Sequence, residues 1–177
     1  MIEKNKILEN VANYYSEKVK EFGATSRGVD WNGEESQFLR FSVLSQVFAQ
    51  QQFSVLDYGC GYGAYIDFLN ENFMDRFEFK GFDISTEMIL EAKSKYPSYF
   101  FTDSLTELGK TDYVISSGIL NVKNEVRDEQ WKEYILDQIQ MMDKLSTKGF
   151  SFNALTKYSD KEYMRDYLYY ADPLELF

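Results

Sequence analysis

Three aspartates close three successive apolar runs, and alternating glycines follow the first of them. The stretch "VLDYGCGYGAYIDFL" carries Asp57, then Gly59, Gly61 and Gly63, before a second apolar run begins. Asp83 ends "FEFKGFD", 20 residues after Gly63, and Asp103 ends "SYFFTD". Glycine at such positions permits positive φ and lets main-chain N–H groups approach a ligand at the start of a helix, where the dipole favours negative charge. A carboxylate two residues before the first glycine would repel a pyrophosphate; it suits a ligand that presents a cation or an amine. An acid at the end of the second run is placed to accept the hydroxyls of a ribose. Each feature also has a plainer use, the glycines as tight-turn residues and Asp83, just before Ser85 and Thr86, as a helix N-cap. Three aspartates on one sheet edge are harder to explain in that way.

The remaining composition narrows the chemistry. The glycines satisfy the relaxed dinucleotide pattern with Ala64 in the third place, so an NAD-binding oxidoreductase is an alternative. No Tyr-x-x-x-Lys pair supports it, because Tyr158 and Lys161 stand one residue too close. A Walker loop is excluded, since no Gly-Lys-Ser or Gly-Lys-Thr follows. With no histidine in 177 residues, imidazole bases, His-based triads and most zinc chemistry are absent, and the lone Cys60 allows neither an internal disulfide nor a multi-cysteine site. No metal is expected. A formal charge of -10 speaks against duplex nucleic acid as a partner, whose binding depends on clustered Lys and Arg. No window of about 18 residues is free of charge, and "MIEKNKILEN" lacks the basic start and apolar centre of a secretion signal. The expectation is a cytoplasmic protein with no membrane association.

Hydrophobic spacing supplies the elements that position these residues. Ile7, Val11, Tyr15, Val19 and Phe22 recur at three and four, which predicts a helix over 2–22 with Gly23 as its C-terminal cap. A glycine-rich loop carrying Trp31 follows, then a helix from Glu34 to about Gln50. Short β-prone runs then alternate with helical ones near 64–72, 86–95 and 128–145, up to a fifth run, "GFSFNAL". That alternation implies parallel strands with right-handed crossovers, a doubly wound, Rossmann-like α/β sheet of about five strands in the order 3-2-1-4-5. Residues 1–50 form an N-terminal helical cap on a core of 51–177, within one structural domain. The tail "KEYMRDYLYYADPLELF" reads as two short helices broken at Asp172-Pro173.

With these residues in place, the sequence resembles the class I S-adenosylmethionine-dependent methyltransferases, of a bacterial small-molecule type. "VLDYGCGYG" is similar to their first motif, "GFDIS" to the second, "FFTDSL" to the third and "TDYVISSGILNV" to the fourth, over about residues 53 to 153. The resemblance implies S-adenosylmethionine as cofactor and S-adenosylhomocysteine as product. Gly59, Gly61 and Gly63 would bring the backbone against the methionine part, with Asp57 near its ammonium. Asp83 would accept the ribose hydroxyls, Ile84 would flank the adenine, Asp103 would accept from the adenine amino group and Ser104 would bond the ring. Ser117 and Gly118 would border the transferred methyl. Arg40 is a candidate clamp for the cofactor carboxylate, with an ordinary surface arginine as its alternative. Asp30 and Trp31 are candidates for the acceptor side, Trp31 equally for packing the cap.

The implied activity is methyl transfer to a small-molecule or glycan-like acceptor; a non-catalytic cofactor-binding module or truncated relic of the same fold is the alternative. "GILNVK" stands where amino-directed DNA methylases carry Asn-Pro-Pro-aromatic, which speaks against DNA methylation. Members of the family usually add two strands beside the fifth, and here about 24 residues follow it. The expectation is that "YLYYADPLELF" covers the fifth strand, or that a homodimer forms through that edge or the tail.

Overall fold

The computed structural model describes residues 2–23, 25 and 33–176. Five parallel strands, β1 (Phe53–Tyr58), β2 (Phe77–Phe82), β3 (Phe100–Thr102), β4 (Thr111–Ser116) and β5 (Ser146–Phe152), lie in the order β3-β2-β1-β4-β5. The helices are α1 (Ile2–Phe22), α2 (Glu34–Leu44), α3 (Tyr65–Phe73), α4 (Thr86–Lys95), α5 (Asp128–Leu145) and α6 (Pro173–Leu176). The sheet order and the helices at 86–95 and 128–145 stand as the sequence predicts.

Both faces of β1 are covered, which is why it reads as a continuous apolar run rather than an alternating one. Phe53 and Val55 join an aromatic-rich cluster with Phe41, Tyr65, Phe68, Phe79 and Phe101, packed under α2, α3 and α4. Leu56 and Tyr58 face the other way, with Phe82, Val114 and Met142 of α5. The high aromatic content is spent largely on the first face, where Phe41 lies 4.9 Å from Tyr65 and Phe48 lies 4.2 Å from Phe53, centroid to centroid.

α1 crosses the carboxyl edge of the sheet. Its Ile7 and Val11 pack with Leu120, Trp131 and Tyr134, and further along the Ser16 hydroxyl meets the Ser85 hydroxyl at 2.8 Å and donates to Glu87 Oε2 at 2.7 Å. That hydroxyl, with Lys20 beside it at 3.0 Å, holds the Glu87 carboxyl down at about 2. Ser85 is also the N-cap of α4, its Oγ accepting from the Met88 N–H at 3.2 Å. Ser85→Ala is therefore expected to lower stability by roughly 1–2 kcal/mol, at the upper end of a single lost cap because α1 loses a contact too. A urea melt checks it; an unchanged midpoint would mean that the cap carries none of this.

Two elements depart from the sequence-based expectation. α2 ends at Leu44 and gives way to a short 3-10 turn, Ser45–Val47, instead of running to Gln50. The cause lies 20 residues away: the buried Ser45 hydroxyl is bonded to the Tyr65 hydroxyl at 2.6 Å, and Phe48 turns extended to reach Phe53. The tail holds α6 and a 3-10 turn at Lys161–Tyr163, with no α-helix over 164–172. Its backbone bonds sideways instead, Tyr169 N–H to Asn121 O at 2.7 Å and Ala171 N–H to Leu155 O at 2.8 Å. It bridges Val122 and Thr156, in the loop after β4 and the stretch beyond β5, and among the described residues it forms no bridge to β5 itself.

Candidate functional site

β1 delivers Asp57 to the carboxyl edge, and the chain then turns sharply at Gly59 (φ 88°), Gly61 (φ 52°) and Gly63 (φ 85°). These are left-handed conformations that side chains resist. Space adds to the demand: a Cβ on Gly59 would stand 2.2 Å from Ile119 Cγ2, and one on Gly63 would stand 3.0 Å from the Tyr96 ring.

The loop's amides are turned toward the protein. Gly59 and Cys60 both donate to the Phe82 carbonyl, at 2.7 and 2.9 Å, Gly63 donates to the Cys60 carbonyl at 2.9 Å, and Gly61 donates to Asp83 Oδ2 at 2.9 Å. The glycines thus tie the first strand-to-helix turn to the end of β2, and these four N–H groups are committed. Asp83 is the clasp, its other oxygen accepting from Ser85 N–H at 2.9 Å.

Asp57 is 4% exposed, and no described residue donates a hydrogen bond to its carboxylate. Burial, with the Asp83 charge adding to it, pushes its carboxyl up to about 8. Burial likewise raises Asp83, against the opposing pull of the Ser85, Gly61 and Ile84 N–H groups. Two adjoining acids of this kind are costly to ionise without a cation. Both open on one cavity.

Gly59, Gly61, Ile84, Ser117 and Gly118 line the same cavity. The structure therefore brings together seven of the residues singled out in the sequence. Four others are not in the wall. Gly63 packs against Tyr96 and Phe101. Asp103 is exposed and accepts from Thr86 Oγ1 at 2.7 Å. The Ser104 N–H is spent on Thr102 Oγ1 at 3.0 Å. Arg40 donates to Ser36 O at 3.1 Å and borders a separate hollow between α2 and the end of β5. Asp30 and Trp31 lie outside the described residues.

The wall also holds groups not singled out in the sequence: Tyr15 from α1, Gln37 from α2, and Tyr134 and Gln138 from α5. Tyr58 donates to Gln138 Oε1 at 2.8 Å, and burial pushes the Tyr58 hydroxyl up to about 12. Burial, then the nearby Tyr58 and Asp83, raises the Tyr134 hydroxyl as well. A signal was present. Gln37 precedes Phe41 and Leu44, and Gln138 lies between Ile135 and Met142, so each is a polar interruption of a buried helical stripe.

Among the described residues no Lys or Arg lines the cavity. The described lining is charged only by acids, and is otherwise aromatic, aliphatic or neutral polar. This suits S-adenosylmethionine: a sulfonium and an ammonium for the acids, ribose hydroxyls for the free lone pairs of Asp83, and a flat base for Ile84. Asp57 and Asp83 are the residues that would hold the charged and hydroxylic parts.

Residues 55–137 match the family described as a methyltransferase domain. A protein of Mycobacterium tuberculosis (strain ATCC 25618 / H37Rv) that bears the methyltransferase name Rv1506c is 40% identical over 132 residues, covering 73% of this chain and 79% of that protein. Among solved structures, the mycolic acid cyclopropane synthase CmaA1, in complex with SAH and CTAB, is similar with a TM-score of 0.54 at 15% identity over 69% of this chain. The sugar N-methyltransferase KedS8 from Streptoalloteichus sp. is similar with a TM-score of 0.52 at 17% identity over 76% of this chain. The chain spans 44% and 53% of the length of those two proteins, and the likeness to them is one of fold. The sequence relationship goes further, and with the acid-lined glycine turn it places the chain in the family of class I S-adenosylmethionine-dependent methyltransferases.

Proposed function

We propose that this chain transfers a methyl group from S-adenosylmethionine to a small-molecule or glycan-like acceptor. The observation that carries the reading is Asp57, a buried acid with no donor among the described residues, opening on the cavity beside Asp83. When bound, the cofactor supplies an electrophilic methyl group on a sulfonium for in-line displacement. The chain supplies alignment and an acidic pocket whose field suits a positive charge that is lost as the methyl leaves.

Residues at the ends of β1 and β2 fix the ligand, while α1 and α5 add wall through Val11, Tyr15 and Tyr134. Among the described residues that wall carries no Lys or Arg, which disfavours polyanionic acceptors, and the neighbour in fold KedS8, a sugar N-methyltransferase, is consistent with a glycan-like one. The Tyr58 and Tyr134 hydroxyls, both raised, stay protonated at neutral pH and serve as hydrogen-bond donors. Proton removal from a hydroxyl acceptor would fall to a carboxylate. A neutral amine needs no base before attack. A homodimer through the half-exposed β5 belongs to the same proposal.

Calorimetric titration with S-adenosylmethionine, S-adenosylhomocysteine and NAD tests the cofactor. The first two are expected to bind and NAD not to; a preference for NAD overturns the reading. Formation of S-adenosylhomocysteine in a pool of amino sugars and other small metabolites then separates an enzyme from a binding module, which would bind without turnover.

A further inference from the structure

An amino-acid head group has two charges, and Asp57 meets only the ammonium. The carboxylate needs donors. Among the described residues no lysine or arginine lines the cavity, and the amides of Gly59, Cys60, Gly61 and Gly63 are committed to protein acceptors.

Gln37 is 5% exposed and lines the cavity, and its side-chain amide has no hydrogen-bond partner among the described residues. Every fully enclosed side-chain nitrogen or oxygen among those residues has a partner. The Gln37 amide must therefore reach open space, and the space beside it is the cavity. Its position is fixed by packing. Gln37 stands one turn before Phe41, whose ring lies 4.9 Å from that of Tyr65, and the Tyr65 hydroxyl is raised in part by the charge of Asp57. Gln37, Phe41 and Asp57 line the same cavity.

We propose that Gln37 holds the carboxylate of the cofactor's amino-acid moiety, its amide N–H donating, while Asp57 takes the ammonium. This rests on the cofactor reading above. A neutral donor suits this place better than a cation would in one respect: with the ligand bound, Asp57 and the ammonium neutralise each other, and the carboxylate gains a charge-assisted hydrogen bond without another buried ion. It also reassigns the role that the sequence suggested for Arg40, which turns to Ser36.

The test compares S-adenosylhomocysteine with 5′-methylthioadenosine, which keeps the adenosine and sulfur but lacks the amino-acid head. In Gln37→Leu, S-adenosylhomocysteine affinity is expected to fall about 10- to 100-fold, the scale of a hydrogen bond to a charged group. Affinity for 5′-methylthioadenosine should be unchanged. Gln37→Glu sets a carboxylate against a carboxylate and should cost more with the first ligand and little with the second. Equal losses for both ligands, or no loss for S-adenosylhomocysteine, would overturn the assignment. The Leu variant fills a buried, largely apolar position, so its thermal melt should hold, and the Glu variant gives an independent reading if it does not. If the native chain binds neither ligand, the cofactor reading fails and this assignment fails with it; if the native chain binds both and the variants match it, only the assignment fails.

Discussion

Gly59→Ala is expected to destabilise the protein by about 2–5 kcal/mol, combining left-handed backbone strain of roughly 1–2 kcal/mol with an overpacking cost of about 1–3 kcal/mol. The two parts have separate origins. At φ 88° any Cβ is strained, and this one would stand 2.2 Å from Ile119 Cγ2, a branched side chain with little freedom to swing aside. Against a typical stability of about 5–15 kcal/mol, a loss of this size removes a large share of the folded population near body temperature. Pairing the change with Ile119→Ala separates the parts: the double variant should recover the steric share relative to the sum of the singles and retain the backbone share. Urea melts of the four proteins make the measurement. Strict additivity would show that the clash with Ile119 is not the source of the loss.

The second large effect runs in the opposite direction. Asp57→Asn is expected to stabilise the cofactor-free protein at pH 8 by several kcal/mol, on the order of 5 at most, while weakening cofactor binding about 10- to 100-fold. The folded protein holds the Asp57 proton up to about 8, and an unfolded chain releases it near the ordinary 3.8. Between those values the native state binds the additional proton, so its stability falls as pH rises from about 4 to about 8 and is level above that. The Asn variant loses the Asp57 part of this slope and keeps that of Asp83, which burial also raises. Binding carries the mirror image, because a cationic ligand prefers the ionised acid: affinity should climb by up to about tenfold per pH unit toward pH 8 in the native chain and less steeply in Asp57→Asn, where only Asp83 remains raised. Melts and titrations at pH 5, 6.5 and 8 check both. A native protein equally stable at pH 5 and pH 8 would contradict the picture.

The strands, the crossovers and the acids at their ends were legible because each is a local pattern: an apolar run, a glycine turn, then a helical period. Features decided by distant partners were not. The end of α2 depends on a hydroxyl pair between Ser45 and Tyr65, and the course of the tail depends on Asn121 and Leu155. Spacing alone gives neither. Gln37 and Arg40 illustrate the limit at the site itself. They lie about 60° apart around one helix axis, so the side that faces inward is settled by Phe41 seating on Tyr65, not by the sequence of α2. The glycine turn is a subtler case. Its presence was legible, and its use was only half so, since Asp83 and the Phe82 carbonyl take the amides that the sequence suggested for a ligand.

One wall of the cavity is a separate helix. Leu8, Val11 and Tyr15 of α1 line it, and the helix is fastened at its far end by Ser16 and Lys20 to the start of α4. Because α1 packs through side chains and adds no strand to the sheet, its local opening is expected to cost a fraction of the free energy of global unfolding. Entry and residence time at the site are expected to follow how often that helix lets go. Substitutions along the Ser16–Glu87 fastening would change the exchange rate of the ligand more than its equilibrium affinity, and amide hydrogen exchange confined to α1 would slow once the pocket is filled.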